Sequence, residues 1–217
     1  MYTAEYIHKD FIPGKRKQSP QELLRLMHEQ RVTHLPMFEN LQFIGNLSEE
    51  DLVDGLEMEN FICTDYVQKF MVTNEQTVLD ALRMMHHYHT NMVPVFDTDE
   101  RYLGAILQND IIDLFASTPF IDDFGATMLL SIATTDLSMT SIANIVESHN
   151  SKLLGSLILR QVEDHTKVLI KVQSENILSI GETFERFGYQ VVQKYYNDEK
   201  TELLNDRYNQ LIKFINP

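Results

Sequence analysis

The sequence predicts an α+β protein in which two similar α-β-β-α units precede a β-α-β-β-α-β domain and a closing helix. Three observations lead there. The chain repeats itself: with Pro36 set over Pro94, an offset of 58 residues, Ser19 falls on Thr77, Glu22 on Asp80, Leu24 on Leu82, Met27 on Met85, His28 on His86 and Phe38 on Phe96. After a one-residue slip, Gly45 falls on Gly104, Leu47 on Ile106, Asp51 on Asp110 and Asp54 on Asp113. Second, both copies carry the same helix-start and strand signals in the same order. Third, the pattern changes at Phe124 and does not return. Two copies of a unit of about sixty residues imply two similar modules facing each other, with a pseudo-symmetric cleft between them as the natural ligand site.

Each element has a local cause. Ser19-Pro20-Gln21-Glu22 is a capping box with Pro at the first helical position, and Leu23, Leu24, Leu26 and Met27 carry an apolar stripe to about Gln30. Thr77-Val78-Leu79-Asp80 does the same in the second copy. Two strands follow each helix, His34 to Phe38 and Gln42 to Leu47, then Met92 to Phe96 and Tyr102 to Leu107, each pair split by a polar turn. Helices from about Glu49 to Leu56 and from about Asn109 to Phe115 close the units, and Tyr6 to Ile12 and Val67 to Val72 are extended lead-ins.

Beyond Phe124, Met128, Leu130 and Ile132 alternate as a strand, and Ile142, Ile145, Val146 and His149 share a helical face. Leu153 to Val162 and the strand around Val168, Ile170 and Val172 flank a turn at Glu163-Asp164-His165. Ile177, Ile180, Phe184 and Phe187 stripe a second helix ahead of a last strand, Tyr189 to Tyr195. That order is the split βαβ pattern of a ferredoxin-like sheet. The tail, Asp198 to Ile215, places Leu203, Leu204, Tyr208, Leu211, Ile212 and Ile215 on one stripe and is expected to be an amphipathic helix.

Composition narrows the function classes. At 217 residues and 43% apolar the chain can bury well-packed cores. One cysteine, Cys63, excludes an intrachain disulfide framework and suits a reducing compartment. The first ten residues hold no apolar run and no stretch reaches membrane-span length, so a cytoplasmic protein with no membrane partner is expected. A net charge of −14 repels phosphodiester backbones, and Lys15-Arg16-Lys17 is the one compact basic run, so nucleic acid is not an expected partner. No nucleophile elbow, Walker loop, metal signature or Cys-His spacing is present, so the chain is not expected to be an enzyme. His86-His87-Tyr88-His89 near a helix C-terminus complements the negative end of that helix rather than forming a metal site, because no carboxylate or thiol stands at a ligand spacing beside it.

The segments His34-Leu35-Pro36-Met37-Phe38 with Gly45-Asn46-Leu47-Ser48-Glu49-Glu50-Asp51, and Met92-Val93-Pro94-Val95-Phe96 with Gly104-Ala105-Ile106-Leu107-Gln108-Asn109-Asp110, resemble the CBS domain. The tandem resembles a Bateman module over roughly residues 1 to 120. The resemblance implies a paired disc with adenosine-type ligands, AMP, ATP or another adenosyl compound, in its clefts and no required cofactor. It places Asp51 and Asp110 on ribose hydroxyls and Ser48 near phosphate, with His34 and Pro36 beside the ligand; Lys15 and Arg16, in the loop before the first helix, are either charge partners for that phosphate or part of a solvated loop. Leu107 stands where the second copy would need a hydroxyl, so the two clefts are expected to be unequal. Read from the residues alone, Ser48-Glu49-Glu50-Asp51 is equally a plain capping box, Asp110 serves its own helix start, and His34 is a strand-end packing residue.

The C-terminal element order, behind such a module, is similar to the ACT domain, as in the AcuB-like CBS-ACT proteins associated with acetoin utilisation. Amino-acid-binding members carry a glycine in the first strand-to-helix turn. Here that turn reads Thr134-Thr135-Asp136-Leu137-Ser138, which favours a dimerisation sheet over amino-acid sensing. The expected architecture is CBS domains at 1–60 and 61–120, an ACT-like domain at 124–197 and a tail helix at 198–217. The expected role is a homodimeric regulatory protein that senses an adenosyl ligand and acts on an unidentified protein target. A ligand-free dimeric scaffold is the alternative.

Overall fold

A computed structural model describes residues 1–56 and 62–197; the expected tail helix lies outside the described residues. The chain divides after Phe115 into two compact units.

The first unit contains both repeats. In the first are β1 (Gly14–Lys15), α1 (Pro20–Gln30), β2 (His34–Glu39), β3 (Gln42–Ser48) and α2 (Glu49–Gly55). The second repeats the order with β4 (Val72–Thr73), α3 (Val78–His87), β5 (Met92–Phe96), β6 (Tyr102–Leu107) and α4 (Gln108–Ala116). Each makes a three-stranded mixed sheet: β1 runs parallel to β2 and β2 antiparallel to β3, with β4, β5 and β6 arranged alike. The capping boxes form as the sequence predicts. Ser19 Oγ accepts from the Glu22 amide while the Glu22 carboxylate accepts from the Ser19 amide, and Thr77 and Asp80 do the same, satisfying amides the helix itself cannot.

Equivalent residues meet across the pseudo-twofold axis. Thr33 and Asn91, 58 positions apart, bind each other through the Thr33 amide and Asn91 Oδ1 (2.9 Å) and the Asn91 amide and Thr33 Oγ1 (3.2 Å). At the opposite end of the same strands, Phe38 stacks on Phe96 with ring centroids 6.5 Å apart. The middle of β2 and of β5 is buried throughout, Pro36 and Pro94 included.

The lead-ins depart from the expected organisation. Each lies against the sheet of the other repeat. The His8 amide donates to the Ala105 carbonyl of β6 (2.8 Å), while Gln68 and Asn46 of β3 exchange amide-to-carbonyl bonds at 2.7 and 2.8 Å. Gly45 (φ 143°) and Gly104 (φ 137°) make this contact feasible: a Cβ on Gly104 would stand 2.3 Å from the His8 carbonyl oxygen, and one on Gly45 2.8 Å from Val67 Cβ. The cores follow the exchange, with Tyr6 and Ile7 packed on the second repeat's core and Val67 on the first's. Asn46, a polar residue in the middle of β3, is fully buried and donates through Nδ2 to the carbonyls of Phe70 (2.8 Å) and Gln68 (3.2 Å). It pins the incoming lead-in.

The second unit holds β7 (Gly125–Ala133), α5 (Met139–Ser148), β8 (Lys152–Val162), β9 (His165–Gln173), α6 (Ile177–Arg186) and β10 (Gln190–Asn197). Its antiparallel sheet has the strand order β10-β7-β9-β8. Met128 and Leu130 of β7, with Val168 and Ile170 of β9, bury one sheet face together with Ile142 and Val146 of α5 and Ile180 and Phe184 of α6. Strand β8 is an edge, broken by two irregularities in its pairing with β9, and Leu157, Ile158 and Leu159 along it are 52%, 52% and 48% exposed.

Candidate functional site

The turn from β3 into α2 builds one wall of a cleft of about 590 Å³. Ser48 is the N-cap of α2: its hydroxyl accepts from the Asp51 amide (3.0 Å) and donates to Asp51 Oδ2 (2.5 Å). The capping reading of this motif is therefore realised, and it fixes the Asp51 carboxylate, half-buried, at the cleft wall. Thr33 and His34 enter from the start of β2, Gln68 from the exchanged lead-in, and Tyr88 and His89 from the end of α3. Both repeats thus supply the lining.

His34 is 6% exposed, and its Nδ1 lies 3.1 Å from Thr33 Oγ1. Its ring meets Phe70 edge-on at 5.8 Å, and Phe70, buried behind the cleft, stacks on the lining residue Tyr88 at 4.3 Å. Burial lowers the His34 pKa, an effect that the Asp51 carboxylate partly offsets. The charged groups of the lining are mainly acidic. Glu49, Glu50, Asp51 and Asp54 face two imidazoles, and the described lining contains no Lys or Arg. Glu49 is engaged by His28 Nε2 at 2.7 Å.

Lys15 and Arg16 are not brought to this cleft. Lys15 pairs with Phe38 in the parallel β1–β2 ladder, at the end of β2 opposite His34, roughly 13 Å along the strand at about 3.3 Å per residue. Arg16 forms an ion pair with Glu39. Neither is among the described residues that line the cleft beside Ser48. Pro36 is buried in the middle of β2, paired with Asn46, and is not among the cleft residues. Gln68, Tyr88 and His89 were missed from sequence. His89 stands just beyond α3 in left-handed backbone (φ 51°), and Arg31 (φ 57°), 58 positions earlier, is its counterpart.

Residues 63–117 match the CBS domain. The N-terminal unit is a CBS domain pair. The match covers the second repeat, and the first reproduces its element order and its positive-φ glycine. An uncharacterised protein of Methanocaldococcus jannaschii is 25% identical over 113 residues, 51% of this chain and 42% of that protein. A homoserine O-acetyltransferase of Methanohalobium evestigatum is 24% identical over 113 residues, 51% of this chain and 23% of the enzyme. This chain therefore matches less than half the length of either relative. Among solved structures, a CBS domain pair in complex with methylthioadenosine and S-adenosyl-L-methionine is similar at 19% identity and a TM-score of 0.47, covering 54% of this chain and 96% of that one. A CBS domain pair/ACT domain protein from Thermotoga maritima is similar at 21% identity and a TM-score of 0.45, covering 53% and 96%.

The CBS pair presents its second carboxylate in different company. Asp110 Oδ2 accepts from the Leu107 amide (3.2 Å) at the start of α4 and lies 2.9 Å from His8 Nε2 on the exchanged lead-in. The position corresponding to His8 in the other lead-in is Gln68, as their bridges to Ala105 and Asn46 show. Among the described residues, no helix is long and apolar enough to cross a membrane, and no group of three or more His, Cys, Asp or Glu is placed to hold a metal ion.

Proposed function

We propose that this chain is a non-enzymatic regulatory protein that senses an adenosyl ligand in the cleft around Ser48 and Asp51. The observation that carries the reading is the composition of that cleft: Asp51 and His34 come from one CBS repeat, Tyr88 and His89 from the other, and Gln68 from the lead-in that joins them. A ligand held by both repeats binds one relative arrangement better than others, and this differential affinity lets occupancy shift their packing. Asp51 accepts hydrogen bonds from ribose hydroxyls, as the family resemblance implies, and the Tyr88 ring, held from behind by Phe70, offers an aromatic surface for a purine.

The charge of the cleft sharpens the ligand class. Four carboxylates, with no Lys or Arg among the described lining residues, disfavour a free polyphosphate, so a neutral or cationic adenosyl compound suits the site better than AMP or ATP without magnesium. Calorimetric titration with adenosine, S-adenosyl-L-methionine, AMP and ATP tests this. Affinity should fall in roughly that order of increasing negative charge once adenosine and the sulfonium compound are taken together. Absence of heat with all four would leave the scaffold reading in place.

The second unit supports the partner side of the proposal. Its element order and the strand order β10-β7-β9-β8 follow the split βαβ pattern of a ferredoxin-like sheet, which supports the ACT-like reading, and the apolar edge β8 suits pairing with a second copy. The protein is read as a cytoplasmic homodimer that passes the ligand signal to a protein target.

A further inference from the structure

We infer that His8 is a built-in occupant of the second CBS cleft and decides that this chain offers one ready ribose site instead of two. The inference rests on the adenosyl reading above. The two lead-ins are exchanged symmetrically, so His8 reaches the second repeat where Gln68 reaches the first. Their chemistry differs. A Gln side chain at the first cleft is a neutral lining residue, whereas His8 Nε2 sits 2.9 Å from Asp110 Oδ2, within hydrogen-bond distance of the carboxylate that would receive the ribose. The Leu107 amide donates to that same oxygen (3.2 Å). Asp51 Oδ2 accepts from the Ser48 hydroxyl of its own helix cap (2.5 Å), whereas Asp110 Oδ2 also faces an imidazole that reaches it from the exchanged lead-in.

The contact is held in place by backbone. The His8 amide donates to the Ala105 carbonyl (2.8 Å), its carbonyl accepts from the Ala105 amide (3.3 Å), and Gly104 leaves no side chain to keep the lead-in away. The imidazole is 41% exposed and Asp110 27%, so the pair sits at an accessible rim, and a ribose can compete for the carboxylate only by turning the ring aside. Leu107 compounds the difference, since it supplies no hydroxyl where the first cleft has Ser48 and its side chain packs against the first repeat's core. The ligand suited to an opened second cleft is therefore a nucleoside without phosphate.

Adenosine titrations of the full chain carry the test, in an Asp51→Ala background where the first cleft is weakened. Adding His8→Ala is expected to tighten adenosine binding at least tenfold, because the lead-in backbone is retained while the internal occupant is gone. Adding Asp110→Asn to that variant should cancel the gain, and unchanged melting temperatures would confirm that the fold is kept. No gain from His8→Ala, with the parent still binding adenosine through Asp51, overturns the inference and leaves the first cleft standing. A parent that already binds two equivalents of comparable affinity overturns it as well. Loss of adenosine binding from parent and variants alike removes the adenosyl reading and this inference with it.

Discussion

Asp51 has two duties that a mutation can separate. Its amide is capped by Ser48 and its carboxylate takes the Ser48 hydroxyl, both of which belong to the helix, whereas ribose recognition belongs to the ligand. Asp51→Ala should weaken adenosine binding at least tenfold, about 1.4 kcal/mol, and Ser48→Ala should cost about 1 kcal/mol of stability through the lost cap. Calorimetry and chemical denaturation read the two separately. His34 gives a pH signature. Its folded pKa lies below the ordinary 6.5, so below that pH the unfolded chain binds a proton that the folded chain resists. Stability should then rise with pH through the window just under 6.5 and level off above it. Denaturation curves from about pH 5 to 7.5 should lose that part of the slope in His34→Gln; an identical slope would assign it to other histidines.

The exchanged lead-ins are the element on which the CBS pair depends. Deleting residues 1–12 should expose the β6 backbone of the second repeat while sparing β3 of the first, because His8 bonds Ala105 and Gln68 bonds Asn46. Hydrogen exchange at Ala105 against Asn46 is the measurement. Gly104→Ala attacks the same contact: its Cβ would meet the His8 carbonyl oxygen at 2.3 Å on a backbone with φ 137°, a conformation that costs a non-glycine residue about 1–3 kcal/mol even before the clash is counted. The melting temperature should fall accordingly. The helices and hairpins of both repeats were legible in the sequence because their signals are local, Ser19 to Glu22 or Thr77 to Asp80 within one turn. The destination of the lead-ins was not, since pairings such as His8 with Ala105 leave no periodicity to read. The place of Lys15 and Arg16 was hidden for a related reason: it is set by the register of β1 on β2, a pairing with residues more than twenty positions away. Gln68, Tyr88 and His89 became site residues only through packing between the repeats.

At the scale of the whole molecule, the bare edge β8 is the feature to test. Leu157, Ile158 and Leu159 present apolar side chains on both faces of an edge strand, an arrangement that invites pairing unless a partner covers it. A homodimer joined there should be weakened at least tenfold by Ile158→Lys, as seen by light scattering across a dilution series, and a parent that is monomeric at micromolar concentration would defeat the proposal. The crossing of the lead-ins also bears on the birth of the protein. Ninety-seven positions separate His8 from Ala105, so on a ribosome adding about 5–20 residues per second the N-terminal segment waits roughly 5–20 s for its docking strand to be made. Throughout that interval Tyr6 and Ile7 have no second-repeat core to enter. The nascent chain thus carries an unsheltered apolar segment, a natural point of engagement for chaperones, and slowing translation ahead of Ala105 should lower the yield of folded protein.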